Sequence, residues 1–119
     1  MISVYCVIAR LLEMRDSILL LREKSCLDGC DPQKEYYMSV IVRSDVHTKS
    51  YCAEMVASFS SGGSEESAYW MEKRAAIRLK ADQGISIRCS YELESIEACY
   101  SLDECDVERC LEQLRSFFS

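Results

Sequence analysis

"RLKADQGISIRCSYELE", residues 78–94, admits two readings that exclude one another. It is either the tail of a long helix stopped at Gly84 and followed by a strand, or one β-hairpin folded over Asp82, Gln83 and Gly84. On a helix continued to Ala81, the side chains of Ile77, Leu79 and Ala81 would point in scattered directions. On a strand the same three share one face, while Arg78 and Lys80 share the other. Past the glycine, Ile85, Ile87, Cys89, Tyr91 and Leu93 alternate with Ser86, Arg88, Ser90 and Glu92. Two alternating runs joined by Asp-Gln-Gly make a hairpin, with Gly84 supplying the positive φ such turns use. We read a hairpin.

Working towards the N-terminus, "EESAYWMEKR" follows the breaker "SSGGS" and reads as a helix. Ser64 would be its N-cap, Glu65 and Glu66 would favour its dipole, and Lys73 and Arg74 would close its C-terminal end. Residues 51–59 put Tyr51, Ala53, Met55, Ala57 and Phe59 on one face, against Cys52, Glu54, Val56 and Ser58 on the other. Period two makes this a strand. "EYYMSVIVRS" is aromatic and β-branched, another strand, joined by the turn "DVHTK". "CLDGCDPQK", with the only proline, is a loop, and the short apolar run "DSILLLREKS" before it reads as a strand. Val4, Val7, Ile8, Leu11 and Leu12 recur at helical spacing, giving a first helix over residues 3–14.

Towards the C-terminus, Ser101 and Glu104 form an S-x-x-E capping box. Val107, Cys110, Leu111, Leu114, Phe117 and Phe118 make the apolar stripe of a final helix. The expected fold is therefore α+β, a twisted antiparallel sheet with flanking helices, in the order α-β-β-β-α-β-β-α. At 119 residues the chain is one domain.

The net charge of −6, with Lys and Arg scattered, argues against nucleic acid, which demands a concentrated basic surface. No apolar run approaches the ~18–20 residues of a membrane span. No basic segment precedes the apolar N-terminal patch, and Arg10 interrupts it, so a cytoplasmic protein is expected rather than an exported one.

Without an export signal, the eight cysteines read as reduced thiols rather than a disulfide framework. Cys89 lies on the apolar side of a strand and Cys110 on the apolar stripe of the last helix, so both are expected in the core. Cys26 and Cys30 have a spacing that zinc ligands use, but the second pair would be Cys105 and Cys110, or Cys99 and Cys105. Residues five apart on a helix point about 140° away from each other. No metal or cofactor is expected. A thiol nucleophile would need a base, and the single histidine, His47, sits in a turn-like segment with no cysteine in a recognisable nucleophile setting.

Glu92, Glu94, Glu97, Asp103, Glu104, Asp106 and Glu108 form an acidic run, read as a solvated face or as a docking surface for a basic partner. Three aromatic pairs remain: Tyr36 with Tyr37, Tyr69 with Trp70, Phe117 with Phe118. Neighbours on a strand face opposite sides, so Tyr36 and Tyr37 are not both in the core. Some aromatic surface is left for an interface.

"YWMEKRAAIRLKADQGISIRCSYELE…DECDVERCLEQLRSFF", in a small acidic chain with this element order, resembles class I type III secretion chaperones and the related YbjN-type domains. The resemblance implies a non-enzymatic dimer that holds an extended partner segment. The expected function is protein binding, as a small cytoplasmic chaperone or adaptor acting as a homodimer. The expected contact residues are Tyr36, Tyr69, Trp70, Glu92, Glu94 and Phe117. A toxin-neutralising immunity or inhibitor protein is the alternative, and a structural-metal or thiol-redox protein the third.

Overall fold

In the computed structural model, which describes residues 1–27, 35–60 and 69–119, the expected hairpin forms but ends at Tyr91, and Leu93, expected on its apolar face, lies fully exposed in the turn that follows. β3 (Trp70–Lys80) and β4 (Gly84–Tyr91) pair antiparallel, with Leu79 opposite Ile85 and Ile77 opposite Ile87. The Gln83 N–H donates to the Lys80 carbonyl at 3.1 Å, closing a tight turn, and Gly84 follows at φ +94°. A turn capped by a residue of positive φ is the usual three-residue hairpin connection. Gly84 has a second reason to be glycine: a Cβ there would stand 2.3 Å from the Tyr100 carbonyl oxygen. That distance is inside van der Waals contact, and the opposing atom is backbone.

The hairpin is the centre of a five-stranded antiparallel meander, ordered β1 (Tyr36–Asp45), β2 (Ser50–Ser60), β3, β4 and β5 (Glu94–Tyr100). Two helices, α1 (Val4–Leu27) and α2 (Glu104–Phe118), pack on one face of it. The register explains why a single face is covered. Met38, Ala57, Val40 and Met55 pair across β1 and β2, and Ala53 faces Ile77 across β2 and β3. Ala75, Ile77 and Leu79 then meet Cys89, Ile87 and Ile85. All point to the helices. Val4, Val7, Leu11, Met14 and Ile18 of α1, with Val107, Cys110, Leu111, Leu114 and Phe118 of α2, close the core from above. α1 lies over β1, α2 beside it towards β5. The Ile2 N–H donates to the Leu102 carbonyl at 2.8 Å, tying the chain's start to the approach of α2.

The α+β class, the hairpin, the strand at 51–59 and the final helix are as expected, but four local expectations need correction. Residues 16–25, expected as a strand, continue α1, because Leu11, Met14 and Ile18 extend one apolar stripe at i+3 and i+4 with no breaker between them. Residues 70–74, expected as helix, belong to β3, where the long β2 partners them from Ser60 opposite Trp70 to Val56 opposite Arg74. Ser64 and its neighbours in that expected helix lie outside the described residues. Residues 94–100 form β5, paired with β4 through a turn at Glu92 and Leu93 that contains no glycine, asparagine or proline. Glu92 bears the positive φ itself, at +56°.

The fourth correction is the capping box. Asp103 is the N-cap of α2 and makes no side-chain cap bond. Asp106 Oδ2 instead accepts the Ser101 hydroxyl at 2.7 Å and the Ser101 N–H at 3.2 Å. Those bonds, hydroxyl first, hold the Asp106 carboxyl below the usual carboxylate range.

Candidate functional site

The sheet has two ends. At one lie Gly84, the turn at 46–49 and the start of α1. At the other lie the first residues of β1 and β3, the turn between β4 and β5, and the end of α2. All six residues expected to touch a partner fall at this second end: Tyr36 opens β1, Trp70 opens β3 with Tyr69 just before it, Glu92 and Glu94 lie at the turn, and Phe117 is in the last turn of α2. The structure gathers them at one end but distributes them over two faces.

Tyr36 and Phe117 are on the helix side. Tyr36 is half-buried, stacks on Phe59 with ring centroids 6.2 Å apart, and donates its hydroxyl to the Phe118 carbonyl at 3.1 Å. The Arg22 guanidinium lies 3.6 Å from its ring centroid. Burial raises the Tyr36 pKa, with the Arg22 charge opposing it. Next to this pair the Lys73 ammonium is ringed by Tyr91 at 5.6 Å, Phe117 at 5.8 Å and Phe59 at 5.9 Å. Partial burial, then the Arg22 charge, lowers the Lys73 pKa. Lys73 also donates to the Ser119 carbonyl at 3.5 Å. A cation over aromatic faces and beside the last carbonyls of α2 is stabilised by both the ring quadrupoles and the helix dipole. Tyr36 and Phe117 therefore staple α2 to the sheet, and their contact surface is largely spent inside the molecule.

Trp70 points the other way, onto the sheet face that carries no helix. Alternation puts Tyr37 on the same face, and the two rings pack 5.8 Å apart at an interplanar angle of 35°. They remain 60% and 54% exposed, for Tyr37 and Trp70 in turn, so the contact leaves most of both rings to solvent. Tyr69 adjoins them, also exposed. Tyr37 is not among the contact residues expected from the sequence, although Tyr36 and Tyr37 must face opposite sides of the strand. Glu92, Leu93 and Glu94 form an exposed tip beside this end.

Beyond the aromatic end, the open face carries exposed Ile41 on β1 and a set of charged pairs. Arg74 pairs with Glu54 and, at 3.4 Å, with Glu72, while Arg88 pairs with Glu97. Such exposed pairs on a solvated sheet face stabilise by well under ~1 kcal/mol each. Near the Gly84 end a shallow groove of about 520 Å³ is lined by Arg78, Lys80, Asp45, Ser50, Cys52 and Cys99. Cys52 on β2 and Cys99 on β5 are three strand spacings apart, about 14 Å, too far for a disulfide.

The other cysteines divide by burial. Cys89 and Cys110 are in the core, as expected; burial pushes the Cys110 thiol up to about 12 and raises that of Cys89 too. Cys6, Cys52, Cys99 and Cys105 are exposed. Position 26 falls within α1, and Cys30 lies outside the described residues. Cys105 and Cys110 diverge, one to solvent and one to the core. Among the described residues no His, Cys, Asp or Glu group is placed to hold a metal ion. His47 sits in the exposed turn, where Asp45 Oδ1 accepts its N–H at 3.0 Å and that of Thr48 at 3.3 Å. No described helix is long and apolar enough to cross a membrane. Compared with protein-family models, curated proteins and solved structures, the chain finds no significant match in any of the three.

Proposed function

We infer that this protein is a non-enzymatic protein-binding domain, a small cytoplasmic chaperone or adaptor, and that the aromatic end of its open sheet face is the contact surface. One observation carries the reading: Tyr37 and Trp70 pack on one another yet keep more than half of each ring in solvent, on a face that the two helices leave bare. Aromatic side chains contribute large contact area at little conformational cost and dominate interface energetics. Among the described residues the two rings pack on one another, and that contact leaves more than half of each in solvent. The neighbouring Glu92 and Glu94 add negative charge, which favours a partner segment that carries lysine or arginine next to an apolar side chain.

The test is affinity capture from the native source, with the wild-type protein and the Trp70→Ala variant as parallel baits. A partner retained by the first and lost by the second supports the reading. A secreted effector as that partner identifies a chaperone, and a nuclease or other toxin an inhibitor. Partners retained equally by both baits contradict the site.

A further inference from the structure

The two edges of the sheet are built differently. β5 is seven residues long and carries Glu94 and Glu97, which discourage pairing with another chain. β1 is ten residues long, and its first seven, Tyr-Tyr-Met-Ser-Val-Ile-Val, include no charge, proline or bulge. Its outer edge has no pairing strand among the described residues. Ile41 and Val42 on it are 49% and 39% exposed. A long, apolar, unguarded edge is a template for one more strand.

The sequence of that edge is complementary to itself. In an antiparallel pair related by a two-fold axis through Ser39, residue numbers across the joint sum to 78, so opposed residues share a face. Val40 then meets Met38 of the second copy, Ile41 meets Tyr37, Val42 meets Tyr36 and Arg43 meets Glu35. Every apolar residue faces an apolar or aromatic one, and the only two charges in the overlap are opposite in sign. Among the described residues neither Glu35 nor Arg43 has an ion-pair partner within its own chain. Shifting the register by two residues either loses this charge pairing or sets Glu35 against Asp45.

α1 agrees with this arrangement. It lies over β1, and Arg10 on the flank towards α2 pairs with Glu108 at 2.6 Å. Ile8, Leu12 and Leu19 stand about 160–180° round the helix from Arg10, on the flank away from α2, which they share with the Arg15–Asp16 ion pair. All three are only half-buried. These half-buried aliphatics lie on the side of α1 that a second copy's α1 would meet across the joint.

We propose that two copies of this chain join through β1, antiparallel about Ser39, to make a continuous ten-stranded sheet with the two α1 helices adjacent across the joint. The interface is isologous and closed, as a two-fold dimer requires. It goes beyond the partner-binding reading and shares with its aromatic pair only Tyr37, whose ring keeps a face on the open side when Ile41 of the other copy lies beside it.

The experiment is sedimentation equilibrium at ~10–100 μM on the wild type, Arg43→Glu, Glu35→Arg and the double exchange, with circular dichroism confirming the fold of each. The wild type should sediment at twice the 13.6 kDa chain mass. Each single exchange sets like charges opposite one another and should weaken the dimer at least tenfold. The double exchange should return it to within a few-fold of wild type. Hydrogen exchange on the wild type should show the alternate β1 amides that point away from β2 gaining protection as concentration rises. A monomeric wild type at ~100 μM overturns the proposal. So does a dimer indifferent to the single exchanges, one that the double exchange fails to restore, or one whose β1 amides exchange at the same rate at every concentration.

Discussion

Replacing Gly84 with alanine is the sharpest test of how the sheet closes. The residue sits at φ +94°, which for an L-residue with a Cβ costs about 1–2 kcal/mol. The added Cβ would also stand 2.3 Å from the Tyr100 carbonyl oxygen, so the end of β5 must move away. That movement pulls at the terminal pairing of Ile85 with Tyr100 and loosens a backbone hydrogen bond, about another 1 kcal/mol. Alanine stiffens the unfolded chain relative to glycine, which offsets roughly 0.5 kcal/mol. The balance is a loss of about 1.5–2.5 kcal/mol. Urea unfolding followed by circular dichroism would register this as a fall of roughly 1.5 M in the midpoint, with the slope unchanged. Gly84→Asn separates the two causes, since asparagine tolerates positive φ better but keeps the Cβ. If the close approach dominates, asparagine will be nearly as damaging as alanine. A loss below about 0.5 kcal/mol for Gly84→Ala would refute both the turn geometry and the contact with β5.

At the opposite hairpin, Glu92→Gly should stabilise by about 0.5–1 kcal/mol, because Glu92 is a non-glycine residue at φ +56°, and a rise in melting temperature will report it. Native alkylation followed by mass spectrometry should modify Cys6, Cys52, Cys99 and Cys105 promptly, but Cys89 and Cys110 only after unfolding, since burial keeps both thiols protonated and covered. Acid titration should expose two carboxylates. Asp45 is held low first by Thr48 and then by His47, and Asp106 by Ser101. Because their folded pKa lies below the unfolded value of about 4, the stability they contribute is present above that pH. It is lost as the pH falls through the depressed values. Asp45→Asn and Asp106→Asn should therefore flatten the acid limb of the stability curve while leaving stability at pH 9 to change by a constant amount.

The segments that could be read from the chain are those where burial imposes one strict period. Residues 51–59 and 85–91 alternate because one face is under the helices and the other is in water. The final helix repeats at 3.6 because one stripe meets the sheet. The misread segments are those where another force decides. Residues 16–25 pack three consecutive leucines, a run that suits a buried strand as well as a helix, and only the continuity of Leu11, Met14 and Ile18 decides between them. Residues 70–74 alternate weakly, and their strand state comes from β2, a partner many residues away. β5 was hidden by a two-residue turn without turn residues. Much the same holds for the site. That one of Tyr36 and Tyr37 faces outward follows from alternation, but which one does so depends on where the helices lie. That Trp70 meets Tyr37 depends on the register of three strands.

The central claim is that Tyr37 and Trp70 form the surface on which a protein partner docks. The most direct measurement is the dissociation constant of a captured partner for the wild type and for Trp70→Ala, by titration calorimetry. An aromatic anchor of this kind contributes about 2 kcal/mol or more, so the variant should bind at least roughly 30-fold more weakly while melting at the wild-type temperature. An unchanged dissociation constant would place the partner elsewhere on the molecule and contradict the account.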